Sequence, residues 1–138
     1  MRGGTYGIGD LAMRSGTKVQ TVRWYEQVGI LPEPARTAGN QRVYTQRDLD
    51  RLIFIRRGRE LGFSLDEVRR LLSLADRSDM SCEEADVIAS AHLDEIRGKI
   101  ARLRSLQAEL ERMLSQCRHG TVSDCRVIEA LSHGRESQ

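Results

Sequence analysis

Apolar residues recur along this chain mainly in steps of three and four, the period of an amphipathic helix, and the breaks between periodic stretches are marked by glycine, proline and capping residues. The first stretch predicts a helix over 8–14, ended by Ser15-Gly16, and the second a helix over about 18–27, ended by Gly29. Leu31-Pro32-Glu33-Pro34, Thr37-Ala38-Gly39-Asn40 and Gln41-Arg42-Val43-Tyr44 then exclude helix, and their flanks suit a small hairpin or wing. Thr45 with Asp48, and Ser64 with Glu67, have the three-residue offset of a capping box. They open helices carrying Leu49, Leu52, Ile53, Ile55 and Leu61, and then Leu65, Val68, Leu71 and Leu72.

Beyond the polar stretch Asp76-Arg77-Ser78-Asp79, Ser81 with Glu84 offers a third box and puts Cys82 at the first helical position. Ala89, Leu93, Ile96, Ile100, Leu103, Leu106, Leu110, Met113 and Cys117 then make one stripe, a coiled-coil seam of about four to five heptads. The alternative is a helix packed on its own domain, but little other apolar surface is left to cover it. Gly120 ends this helix, and Asp124 is placed to cap a last short helix starting at Cys125 with Val127, Ile128 and Leu131. The pattern is that of a mainly α protein.

Composition adds direction. Residues 1–75 hold 13 Lys and Arg against 8 Asp and Glu, whereas residues 76–138 hold 9 against 12. A basic front and an acidic rear suit a polyanion-binding head followed by a partner-binding tail. No apolar run spans a membrane, and Met1-Arg2-Gly3-Gly4 lacks the apolar core of a secretory leader, so a cytoplasmic location is expected. There, thiols stay reduced, and three cysteines point to ligands or redox sensors before disulfides.

Two short helices joined by a tight Gly turn have the helix-turn-helix pattern. In the second, Val19 and Val22 face the core while Lys18, Gln20, Thr21 and Arg23 point outward, toward base edges and phosphates or simply toward solvent.

Cys82, Cys117 and Cys125 pose a distance problem. The first two are separated by 35 residues of helix, roughly 50 Å at ~1.5 Å per residue. They meet only if a second copy runs antiparallel and brings its Cys82 beside Cys117 and Cys125 of the first. Three thiolates carry a formal charge of −3 and match a soft divalent ion: mercury(II), cadmium(II), lead(II) or zinc(II). A helix N-terminus favours the thiolate at Cys82, and at Cys125 if Asp124 caps the last helix. Zinc prefers a fourth ligand, for which His119 is the candidate. His92, near the seam, reads as structural. A Cys117–Cys125 disulfide would make the chain a redox-responsive regulator instead. Cysteine with histidine could also serve an enzyme as nucleophile and base, but no further acid–base motif accompanies them, so an enzyme is not expected.

Ile8-Gly9-Asp10-Leu11-Ala12, Thr21-Val22-Arg23-Trp24-Tyr25-Glu26, Gly29-Ile30-Leu31, Gly39-Asn40-Gln41-Arg42-Val43-Tyr44 and Leu61-Gly62-Phe63-Ser64-Leu65-Asp66-Glu67-Val68 together resemble the MerR family of bacterial transcription regulators, in order and across about residues 6–132. The resemblance implies a winged helix-turn-helix DNA-binding head with a two-helix connector (1–75), a linker (76–80), a long antiparallel coiled-coil dimerisation helix (81–119), a C-terminal metal-binding loop with a short helix (120–132) and a disordered tail (133–138). It further implies a homodimer on double-stranded promoter DNA that distorts an overlong spacer so that RNA polymerase engages both promoter elements. Family-like DNA contacts map onto Arg23, Tyr25, Arg42 and Tyr44. Trp24 stands where the family usually has Tyr or Phe, and a packing role is expected for it.

Within the family, Cys82-Glu83-Glu84-Ala85 looks like the mercury sensors, and Val127-Ile128-Glu129-Ala130-Leu131 like the zinc and cadmium sensors. The gap between Cys117 and Cys125 resembles the copper branch, which keeps a copper(I)-type monovalent sensor open. That branch typically has Ser where this chain has Cys82, so the expectation is a divalent-metal-responsive regulator of a resistance or efflux operon.

Overall fold

The computed structural model describes residues 4–116 and 120–133. The chain divides into two compact units, Met1–Ile88 and Ala89–Gln138. The first unit runs β1 (Thr5–Tyr6), α1 (Ile8–Ser15), α2 (Val19–Gln27), β2 (Ala35–Arg36), β3 (Arg42–Thr45), α3 (Gln46–Glu60) and α4 (Leu65–Ala75), and ends within α5 (Glu83–Ser115). The second continues α5 and adds a 3₁₀ turn (Val122–Asp124) and α6 (Arg126–Ser132).

Short helices hold here because their ends are satisfied. Gly16 closes α1 in the left-handed conformation at φ 73°, its N–H reaching back to Met13, and Thr17 N–H donates to the carbonyl of Ala12. Both capping boxes form as the spacing predicts: Asp48 N–H donates to Thr45 Oγ1 while Asp48 Oδ2 accepts from Thr45 N–H, and Glu67 and Ser64 do the same for α4. The expected hairpin is a wing. β3 is the centre of a three-stranded antiparallel sheet in the order β1-β3-β2, with Tyr6 opposite Tyr44 and Ala35 opposite Val43. Its turn is held by Thr37, whose Oγ1 accepts from the N–H groups of Gly39 and Gln41, and by Asn40, which takes the positive φ of 67° that asparagine tolerates.

These elements enclose one core, with Leu11, Val22, Ile30, Leu31, Tyr44, Leu52, Ile55 and Val68 fully buried. α3 and α4 approach closely because residue 58 is glycine: a Cβ there would lie 2.9 Å from Val68 Cγ2. Two arginines fasten the turn after α2, Arg51 Nε donating to the Ile30 carbonyl and Arg69 Nη2 to that of Val28. Arg51 also pairs with Asp76 at the end of α4, 3.4 Å away.

Along α5 the predicted seam is one helical stripe. Leu93, Ile100, Leu103, Leu106 and Leu110 are all exposed in the single chain, while Ile96 and Met113 are half-buried. His92 is buried, as expected of a structural residue. No helix among the described residues is long and apolar enough to cross a membrane. Of the expected disordered tail, residues 134–138 lie outside the described residues.

Candidate DNA interface and metal centre

α2 is a two-faced helix. Val22 and Tyr25 are buried in the core, while Gln20, Arg23, Trp24 and Gln27 are exposed on the other side. Lys18 at the N-cap is exposed, and Thr21 is half-buried at the edge between the faces. Of the outward set expected from the sequence, Lys18, Gln20 and Arg23 are exposed and Thr21 is partly covered. The packing role expected of Trp24 is met only in part: the residue is 47% exposed, and its ring lies against that of Tyr25 at a tilt of 47°, with 5.5 Å between centroids. The signal was in the spacing, since Trp24 sits about 200° around the helix from buried Val22.

The wing joins α2 through a carboxylate that the sequence did not single out. Glu26, with a side chain 7% exposed, accepts from Arg42 Nη1 at 2.9 Å and from the Tyr44 hydroxyl. Tyr44, expected at the DNA surface, is fully buried and offers DNA no face; this expectation is corrected, because its ring fills the core and its hydroxyl is held by Glu26. Burial, with the hydrogen bond to Glu26, pushes its phenol up to about 12. Arg42 is held above its ordinary value by its hydrogen bond with Tyr44 and by the charge of Glu26. Half-buried and fixed on Glu26, it presents only its remaining donors to a ligand.

Tyr25 also belongs largely to the core, yet it edges a cleft of about 440 Å³ lined with Lys18, Thr21, Arg56 and Arg59. Arg56, packed against Gly16 and paired with Glu60 at 2.9 Å, and Arg59, whose Nη1 donates to the Phe63 carbonyl, bring two cations from α3 to the foot of α2. Neither was found from the sequence, since only the fold sets α3 beside α2.

The two described cysteines flank α5. Cys82 stands one position before the helix, not at its first residue as expected: Glu83 N–H donates to Ser81 Oγ, and the Cys82 carbonyl accepts the first helical bond from Asp86. Its exposed thiol lies 3.9 Å from Asp86 Oδ2, a weak S–H donor to that carboxylate. Cys125 is half-buried and is itself the N-cap of α6, its carbonyl accepting from Glu129 N–H. Asp124, expected to cap that helix, instead ends the 3₁₀ turn and accepts from Thr121 Oγ1. Cys117 and His119 lie outside the described residues. Among the described residues, no three His, Cys, Asp or Glu side chains of the chain converge on a metal-sized site.

Comparison with known proteins places this arrangement. A family model described as "MerR HTH family regulatory protein" matches residues 6–75, and one described as "MerR, DNA binding" matches residues 49–113. The chain is 40% identical over 133 residues to the HTH-type transcriptional regulator ZntR of Escherichia coli K12, covering 94% of each chain. It is 36% identical over 125 residues to the mercuric resistance operon regulatory protein of Bacillus cereus, covering 90% of this chain and 95% of that one. Among solved structures it is similar to the transcription regulator PbrR691 of Ralstonia metallidurans CH34 in complex with lead(II), at 42% identity and a TM-score of 0.81, covering 91% of this chain and 98% of that chain. The chain therefore belongs to the MerR family of helix-turn-helix, DNA-binding transcription regulators, alongside its metal-responsive members, and is not an enzyme.

Proposed function

We propose that this protein is a homodimeric, promoter-bound regulator that activates a metal-resistance or efflux operon when a divalent thiophilic ion binds Cys82 of one chain together with Cys117 and Cys125 of the other. The observation that carries this reading is the continuity of α5: 33 unbroken helical residues, ~50 Å, follow Cys82 before the segment that bears the other two thiols. The exposed stripe from Leu93 to Leu110 supplies the surface along which a second copy would run. Soft thiolates suit mercury(II), cadmium(II), lead(II) and zinc(II), and the relatives named for mercuric resistance and solved with lead(II) support that class. His119 or water would complete a four-coordinate site.

On the DNA side, α2 enters the major groove with Gln20, Thr21 and Arg23 toward the bases, while Lys18, Tyr25, Arg56 and the wing's Arg42 meet phosphates. Metal binding then changes the relative position of the two heads, and the energy is spent on bending and untwisting the promoter until RNA polymerase engages it.

Mixed dimers test the cross-chain site. Anaerobic titration with each divalent ion, followed by sulfur-to-metal charge-transfer absorption, should show high-affinity binding lost in both Cys82→Ser and Cys125→Ser homodimers. Unfolding and refolding the two variants together should restore about a quarter of the wild-type sites, because half of the dimers are mixed and each carries one complete triplet. Undiminished divalent affinity in Cys82→Ser, or no recovery on mixing, would reject the shared site.

A further inference from the structure

The exposed stripe of α2 is Gln20, Arg23, Trp24 and Gln27, spaced i, i+3, i+4 and i+7 on one side of the helix. Three of these side chains carry hydrogen-bonding groups suited to base edges and phosphates. The fourth is the chain's only tryptophan, in the middle of the stripe, with nearly half of its surface in water. An indole is mostly apolar, and among the atoms that base pairs present in the major groove its counterpart is the C5-methyl group of thymine. Its ring lies tilted by 47° against that of the buried Tyr25, with 5.5 Å between centroids, so the indole is backed on its protein side.

We propose that Trp24 is a specificity-determining residue that packs its indole against a thymine methyl group in each half of the operator. The proposal rests on the reading of α2 as the groove-entering helix and adds to it a base preference that the polar residues do not carry. Because Trp24 reads a methyl group and not a donor or acceptor, it distinguishes thymine from uracil, a discrimination that hydrogen bonds to the same base edge do not make.

The test uses the full-length dimer and an operator selected from a randomised duplex pool with that dimer. Each thymine of the operator is replaced in turn by deoxyuridine, which removes only the methyl group, and affinities are measured at fixed salt for wild type, Trp24→Ala, Trp24→Phe and Arg23→Ala. At one position per half-site the wild type should lose about fourfold in affinity, the value of one buried methyl group. Trp24→Ala should lose nothing there, and Trp24→Phe should keep part of the effect. Identical uridine profiles for wild type and Trp24→Ala, with Arg23→Ala weakened, would overturn the assignment of Trp24 alone. Wild-type binding by both Arg23→Ala and Trp24→Ala would overturn the helix assignment and the proposal with it. Since about half of the Trp24 surface is covered, with its ring against Tyr25, Trp24→Ala should melt somewhat below wild type, and affinities compared well below either melting temperature separate lost contact from lost fold.

Discussion

Arg42 of the wing and Glu26 of α2 are joined at 2.9 Å across 16 residues of chain, and Glu26 is the more buried of the two. A nearly dry carboxylate with a half-wet guanidinium beside it is a positional lock: the wing cannot swing without uncovering a charge that has nowhere else to go.

Removing the lock should loosen both stability and DNA binding. Glu26→Ala strands Arg42 and the buried Tyr44 hydroxyl, and about 2–4 kcal/mol of stability should be lost in denaturant titration. Glu26→Gln keeps an acceptor for Tyr44 and should lose roughly half of that. In footprints, protection where the wing lies should weaken more than protection under α2. An unchanged wing footprint in both variants would count against Glu26 as its anchor.

Alkaline titration reads Tyr44 directly. An ordinary phenol ionises near 10, and burial with the Glu26 hydrogen bond pushes Tyr44 up to about 12. The folded state therefore holds a proton that the unfolded state releases, so this contribution to stability is complete below pH 10 and declines as pH rises from 10 to 12. Melting temperatures of wild type and Tyr44→Phe should converge across that window, and absorbance near 295 nm should show a tyrosinate step near pH 12 that Tyr44→Phe lacks. Parallel melting curves from pH 9 to 12 would refute the assignment.

The contact between α3 and α4 gives a packing test. Gly58→Ala drives a methyl group to 2.9 Å from Val68 Cγ2, and overpacking of this kind costs about 1–3 kcal/mol despite alanine's better helix propensity. Val68→Ala alone should also destabilise, by opening a cavity. Together the two changes should be less damaging than their sum, because the methyl group fills space the valine vacates. Strict additivity in chemical denaturation would mean that the two residues do not bear on each other.

What could be read from the sequence was what neighbours in sequence determine. The boxes at Thr45–Asp48 and Ser64–Glu67 are three-residue affairs, and both form as spaced. Ser81–Glu84 has the same letters, but Ser81 Oγ accepts from Glu83, so α5 begins after Cys82, a local choice that the pattern alone does not make. The outward face of α2 was legible for Lys18, Gln20 and Arg23 from the helical period, with Thr21 at its edge. For Trp24 the expected packing is real but partial, a contact with the Tyr25 ring on one side and water on the other. Tyr44 was misassigned: whether a wing residue looks outward or inward depends on Glu26, 18 residues earlier in the chain. Arg56 and Arg59 were missed likewise, since their nearness to Lys18 exists only after α3 has folded beside α2.

The unpaired stripe on α5 has a bearing on dose. If each triplet draws one thiol from a second chain, metal and dimer stabilise each other by mass action, and tightening either equilibrium tightens the other. Apparent metal affinity then rises with protein concentration until every chain is paired, and metal in turn protects dilute protein against dissociation. The threshold at which such a regulator responds is set partly by its own abundance, and a small change in the Leu103–Leu110 contact surface would retune it without altering any metal ligand.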